Sequence, residues 1–186
     1  IDTPNFAHAL KDALRQDPDV ILIGEMRDIE TTSIAMTAAE TGHLVFSTMH
    51  ANNTYEAVSR IIDIFPNSQQ NQVKLQLANV LVGAISQRLI NRADAAGRIP
   101  AVEILIATAA VKKMISQSQY KEMLDQIEKS VVHYGMQSLE QSLLALLANK
   151  MINLDEALNT TLRQSELELM REQLGIGELG GFRSAN

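Results

Sequence analysis

The sequence predicts an α/β fold in which a parallel sheet with a helical crossover is followed by a small all-helical region. Three observations carry this. Residues 20–48 read as strand, helix and strand within the ~30 residues of one βαβ unit. Val20-Ile21-Leu22-Ile23 is a continuous aliphatic run between Asp19 and Gly24, the pattern of a strand buried on both faces of a parallel sheet. Beyond residue 107 the apolar spacing turns helical throughout, which divides the chain into residues 1–107, residues 108–174 and a glycine-rich tail at 175–186, expected to be flexible.

The elements follow in order. Residues 5–16 place Phe6, Ala9, Leu10, Ala13 and Leu14 at helical spacing, and Asp17-Pro18 stops the helix. After the first strand, residues 30–41 form a helix with Ile34, Ala35, Ala38 and Ala39 on one side, closed by Gly42. Residues 43–48 make the second strand. Residues 54–65 are amphipathic and end at Pro66. Residues 69–90 read as one long helix, apolar on most sides and therefore buried. Residues 91–97 are polar and small, as in a hairpin loop, and residues 102–106 form a third strand. Three helix starts are then marked by Ser138 with Gln141, Asn153 with Glu156, and Ser165 with Glu168, each pairing a cap with a side chain able to reach back. Leu139, Leu143, Leu146 and Leu147 supply the stripe of the first.

Composition removes several function classes. No cysteine is present, so thiolate metal sites, disulfides and cysteine nucleophiles are excluded. A net charge of −6 argues against a broad nucleic-acid surface. No apolar run approaches the roughly 18 residues of a membrane span, and no basic n-region with an apolar h-region opens the sequence, so neither membrane insertion nor a signal peptide is expected.

Candidate chemistry gathers where the two strands end. Glu25 follows the first strand directly, at the carboxyl edge where open α/β sheets bind ligands. In nucleotide hydrolases a carboxylate there orients magnesium or its waters, and Gly24 removes a side chain that would crowd a phosphate. An ordinary reading stands beside this: Glu25, Asp28 and Glu30 also suit the dipole of a helix N-terminus. The second strand is opened by His43 and closed by Ser47, Thr48 and His50. A right-handed crossover brings the ends of parallel strands to one side, so Glu25 and His50 should converge, with the imidazole placed to donate to a phosphate oxygen. His8 and His133 lack such a context and read as structural.

Gly24-Glu25-Met26-Arg27-Asp28, together with residues 38–51 (Ala-Ala-Glu-Thr-Gly-His-Leu-Val-Phe-Ser-Thr-Met-His-Ala), closely resembles the secretion-superfamily ATPases, and within them the type IV pilus retraction motors of the PilT and PilU kind. Residues 60–66, 86–90 and 135–139 resemble further segments of that family. The resemblance implies the second half of a RecA-like P-loop NTPase sheet followed by a small helical domain. It implies that Glu25 is the Walker B glutamate, holding Mg2+ directly or through water, and that His43 and His50 are the two histidines of the His box. His50 would sense the terminal phosphate of ATP, Arg27 and Asp28 would shape the loop after the strand, and Gly24, Arg27, His43 and Thr48 would line the nucleotide. It further implies a homo-oligomer, in this family a hexamer, that works at the cytoplasmic face of the bacterial inner membrane against a platform protein and drives retraction and twitching motility.

Departures from the family pattern are specific. No glycine-rich loop ending in Gly-Lys-Ser/Thr occurs among the 186 residues, so the backbone cradle for the β-phosphate is missing. The family's acidic box and amino-terminal domain, which lie upstream of the segment resembling Asp2-Thr3, are missing too, and the first residue is Ile1 and not methionine. The expectation is a piece of a longer motor, inactive alone. In residues 110–117, Ala110 and Ile115 match the retraction-motor segment while Ser116 and Gln117 replace its arginine and glutamate. Extension and type II secretion ATPases of the superfamily usually carry a zinc module with two Cys-x-x-Cys pairs, which a chain without cysteine cannot form, so retraction is favoured over pilus assembly or secretion. Two readings of other classes remain: a docking or oligomerisation module with no catalysis of its own, and a RecA-like recombinase or ring helicase, against which the absence of an aromatic-plus-basic platform counts.

Overall fold

The structure, a computed structural model, describes residues 6–176. The chain runs α1 (Phe6–Leu14), β1 (Val20–Ile23), α2 (Ile29–Glu40) and β2 (Leu44–Ser47). The two strands pair in parallel, with Val20 opposite Leu44 and Ile23 opposite Ser47, so the predicted βαβ unit is present. α2 ends at Thr41, and Gly42 follows at φ +100°, a backbone conformation that only glycine adopts without strain. One face of the pair is dry: Ile21 and Ile23 pack with Leu10 of α1 and with Ala35 and Ala38 of α2.

The other face corrects the expectation of a strand buried on both sides. Leu22 is 78% exposed, and Val20, Leu44 and Phe46 beside it are exposed as well. Side chains alternate across a strand, and among the described residues helices cover only the face of Ile21 and Ile23. A continuous aliphatic run therefore records two apolar faces without showing what covers the second.

α3 (Thr54–Asp63) and α4 (Asn67–Val80) come next. The single buried helix expected over residues 69–90 is not found. α4 stops at Val80, Leu81 is extended at ψ 127°, and the chain enters β3 (Gly83–Asn91), which pairs antiparallel with β4 (Arg98–Ile106) along its whole length. Residues 81–90 carry helical and alternating apolar spacing at once, and pairing with a strand more distant in sequence decides between them. Gly83 marks the entry: a Cβ there would stand 2.8 Å from the Leu105 carbonyl oxygen, so only glycine permits this approach. Nor is α4 buried throughout, since it covers Val73, Leu77 and Ala78 and exposes Leu75. The hairpin loop falls where expected, closed by the Arg92 amide donating to the Gly97 carbonyl at 3.1 Å.

Every described element after residue 107 is a helix: α5 (Ala109–Ser116), α6 (Glu122–Lys129), α7 (Val131–Tyr134), α8 (Leu139–Ala148), α9 (Leu154–Thr160) and α10 (Gln164–Gln173). α8 opens with the predicted capping box between Ser138 and Gln141. Asn153 does precede α9, but its side chain makes no capping bond. Ser165 is not a cap: α10 begins at Gln164, because the Arg163 amide donates to the Thr161 hydroxyl at 2.9 Å and turns the chain earlier.

Two apolar clusters join the helices to what precedes them. In one, Val58, Ile62 and Leu77 pack with Leu105, Ile115 and Ile127. In the other, Ile90 and Ala101 of the hairpin pack with Leu143, Leu144 and Ile152. The expected tail lies, from residue 177 onward, outside the described residues. Among the described residues no helix is long and apolar enough to cross a membrane.

Candidate functional site at the carboxyl edge of the parallel strands

Because β1 and β2 run parallel in register, the residues that leave them lie side by side. The Thr48 hydroxyl donates to the Gly24 carbonyl at 2.5 Å, and the Met26 amide donates to the Thr48 carbonyl at 3.5 Å. This stitches the two exits together and sets Glu25 and His50 on one edge. His50 Nε2 stands 3.4 Å from Glu25 Oε1, while Arg27 Nη2 meets Glu25 Oε2 at 2.5 Å. The convergence expected of Glu25 and His50 is therefore present, and Arg27 joins it.

The electrostatics keep Glu25 charged. The hydrogen bond from Arg27 holds its carboxyl below the ordinary range, against a smaller opposing effect of burial, with the charges of Arg27 and His50 adding to the lowering. Donating to Glu25 in turn raises the Arg27 guanidinium. A carboxylate at the centre with two nitrogen donors around it can take a cation or a water on its free lone pairs. The open space in front of Gly24, where a Cβ would meet nothing within 4 Å, leaves room for an anion beside it. Gly24, Arg27 and Thr48 thus lie at the same edge as Glu25 and His50.

His43 does not join them. It sits before the other end of β2, with Nδ1 3.0 Å from the Ala38 carbonyl and 3.1 Å from the Thr41 hydroxyl. A carbonyl can only accept, so Nδ1 carries the hydrogen and the ring is fixed to the end of α2. The strand between the histidines holds them on the order of 15 Å or more apart.

Asp28 has a helix-starting role. It caps α2, accepting from the Thr31 amide at 2.8 Å and the Thr31 hydroxyl at 2.9 Å. These bonds lower its carboxyl below the ordinary range, the Thr31 amide contributing most. A depressed folded value gives stability that is present above the unfolded value and lost as pH falls through the folded one. Asp28→Ala is accordingly expected to cost about 1 kcal/mol near pH 7, and the gap to the unmodified chain should close in acid. Urea denaturation at neutral and acidic pH measures both.

Other residues of the site escaped the sequence reading. The segment after His50 is held from behind by the inward face of the β3–β4 hairpin. Glu103, 4% exposed, accepts from the Thr54 amide and the Thr54 hydroxyl, both at 2.6 Å, where α3 begins. Ser86, its partner across the hairpin, donates to the Asn52 carbonyl at 3.3 Å, as does Arg88 Nη2 at 3.2 Å. Asn53 caps α3 through the Glu56 amide at 2.8 Å. The available signal was a lone acid in the aliphatic run Val102-Glu103-Ile104-Leu105-Ile106. Ser86 and Arg88 belong to the family-like segment 86–90, but the helix expected over residues 69–90 gave them no place beside His50. The cavity between this segment and the hairpin, lined by Met49, Ala51, Thr54, Ile85 and Ser86, measures about 140 Å³, too small for a nucleotide.

Comparison with known proteins places this geometry in a family. Residues 3–173 match the family model described as "Type II/IV secretion system protein". The chain is 44% identical over 150 residues to the "Twitching motility protein" of Neisseria gonorrhoeae, covering 81% of this chain and 40% of that one. It is 42% identical over 156 residues to the Pseudomonas aeruginosa protein named "Type IV pilus retractation ATPase PilT", covering 84% of this chain and 45% of the relative. Among solved structures, that of the pilus retraction motor PilT with bound ADP superposes with a TM-score of 0.81 at 41% identity, over 91% of this chain and 47% of the other. The chain thus spans less than half the length of the relatives it matches. With a parallel β1–β2 pair that carries Glu25 and His50 to one edge, and a match from residue 3 to residue 173, the chain belongs to the type II/IV secretion system protein family and is homologous to the PilT retraction ATPases.

Proposed function

We propose that this chain is the carboxyl-terminal portion of an Mg-ATP-dependent motor that retracts type IV pili. The observation that carries the reading is the in-register exit of β1 and β2, which sets the ionised Glu25 beside His50 at an open sheet edge in a chain homologous to retraction ATPases. Glu25 stands as the Walker B glutamate, and His43 and His50 as the His-box pair. Residues 1–107 belong to the ATPase core and residues 108–174 to a helical domain that moves against it. The intact protein assembles as a hexamer at the cytoplasmic face of the inner membrane and acts on a platform protein. Lack of cysteine supports retraction over the zinc-bearing assembly and secretion branches.

The residues fit magnesium and a nucleotide in a limited way. Mg2+ bound with ATP takes one or two carboxylates and completes its shell with waters and phosphate oxygens, so a single ionised carboxylate such as Glu25 is the appropriate protein ligand. Bound there, the ion would neutralise charge developing on the phosphates. The work of this chain's own residues is distinct. Glu25 orients the ion or its water, Arg27 keeps Glu25 ionised and in place, and His50 presents Nε2 toward a terminal phosphate oxygen. Gly24 leaves the edge open, and Thr48 locks the two strand exits together. His43, bonded to the end of α2, holds the start of β2 and reaches nucleotide only if the rest of the site approaches from that side.

Two measurements test this. The longer protein that contains this chain should hydrolyse ATP in the presence of Mg2+ and lose that activity when Mg2+ is chelated. The 186 residues alone, without a phosphate loop, should bind Mg-ATP no more tightly than millimolar in equilibrium dialysis. Micromolar binding by the isolated chain would overturn the assignment of phosphate binding to residues outside it, and an inactive longer protein would favour the docking-module reading.

A further inference from the structure

The β3–β4 hairpin does more than back the His50 segment; it ties that segment to the helical region through one side chain. Arg88 spans two carbonyl groups that are distant in sequence. Its Nη1 donates to Thr160 O at 2.7 Å, at the carboxyl end of α9, and its Nη2 donates to Asn52 O at 3.2 Å, two residues beyond His50. We propose that Arg88 is a positioning residue that couples the end of α9 to the segment carrying His50.

The two ends of this bridge have different surroundings. On the α9 side the anchor is buried. Thr161, 3% exposed, donates its hydroxyl to Glu140 Oε1 at 2.7 Å, and Glu140 is itself 3% exposed. Arg163 adds bonds to Glu128 at 2.7 Å and Glu140 at 3.3 Å. The end of α9 is thereby tied to α6 and α8 through Glu128 and Glu140. On the other side, Asn52 lies in the irregular stretch between β2 and α3, and the His50 side chain is 85% exposed. The α9 end is tied to buried partners and the His50 side chain is open to solvent, so a displacement of the helical region would reach, through Arg88, the segment that presents His50 to Glu25. Arginine suits this task. Its planar guanidinium offers separate N–H groups in a rigid fork, while the single ammonium of lysine cannot hold two carbonyls with one geometry. The hairpin supports the fork, since Ala93 N donates to Met151 O at 2.8 Å and Val102 N to Ser142 Oγ at 3.0 Å, keeping β3 and β4 on the helices.

A mechanical role for this bridge in a retraction motor rests on the reading of the preceding section, but the coupling itself is measurable without nucleotide. The experiment uses the 186-residue chain with Arg88→Lys and, separately, Thr161→Val, which removes a hydroxyl remote from His50 at nearly constant volume. Amide hydrogen exchange is followed through residues 51–54, and the ring resonances of His50 and His43 are recorded by NMR. Loss of one hydrogen bond from a charged donor should speed exchange in residues 51–54 by about tenfold in Arg88→Lys. It should also shift the His50 ring signals while those of His43, beyond the opposite end of β2, stay fixed. Thr161→Val should reproduce the His50 shift in the same direction and with smaller size. If Arg88→Lys leaves residues 51–54 and His50 unchanged, the proposal is wrong. If Arg88→Lys loosens the segment but Thr161→Val frees the end of α9 with no response at His50, Arg88 is only a local support and the coupling is refuted. Intact coupling in a longer protein that lacks ATPase activity would instead refute the motor reading alone.

Discussion

Glu25→Gln in the longer protein that contains this chain is expected to cut Mg-dependent ATP hydrolysis on the order of a thousandfold while leaving the fold intact. The substitution keeps the side chain's length and its place after β1 and removes only the charge. That charge is the property Arg27 maintains, since the Arg27 hydrogen bond is the largest cause of the lowered Glu25 carboxyl. A neutral amide holds a cation and polarises a water far more weakly than a carboxylate, and it puts an N–H group in place of one of the two oxygens. Glu25 lies at the sheet edge and its ion-pair partners, Arg27 and His50, are both exposed, so unfolding by heat should be nearly unchanged. Nucleotide affinity should change only a few-fold, because the phosphate cradle belongs to other residues. Steady-state hydrolysis and a separate binding titration distinguish these outcomes. Activity that survives the substitution would remove Glu25 from the catalytic assignment.

Arg163→Met should be among the most damaging single changes to stability in the helical region, costing about 3 kcal/mol. Arg163 stands between Glu128 and Glu140, at 2.7 Å and 3.3 Å, and the Glu140 side chain is 4% exposed. Methionine fills comparable space but leaves a buried carboxylate without its partner, and an uncompensated buried charge costs far more than an exposed ion pair contributes. The Thr161 hydroxyl still reaches Glu140 and supports only part of the charge. Adding Glu140→Gln to the same chain should recover about half of the loss, because the amide accepts from Thr161 without needing a cation. Urea denaturation of the single and double variants gives both values. A single variant within a few tenths of a kcal/mol of the unmodified chain would show that Glu140 stays hydrated.

Much of the site was legible because it is local. Glu25 comes directly after an aliphatic run, His50 comes shortly after the next, and the helix between them has a crossover's length, so topology alone brings the two together. The same reading put His43 at the opening of β2, away from the end that His50 closes, and the bonds to Ala38 and Thr41 fix its ring there. Residues supplied by distant sequence were invisible. Glu103 lies 49 residues from Thr54 and Arg88 lies 72 from Thr160, and no periodicity in a short window reports such pairs.

The sequence by itself determined the βαβ unit, the identity of the acid and histidine at its edge, the all-helical character after residue 107 and the capping box at Ser138, all of which follow from spacing within a few turns of chain. Only the tertiary structure decided that residues 83–91 are a strand, that β1 has a dry face and an exposed one, and that a hairpin grips the His50 segment. The physical reason is the same in each case. An apolar run states that surface will be covered, and hydrogen-bonding groups state that partners will be found, but which partner covers or bonds them is settled by segments far apart in the chain.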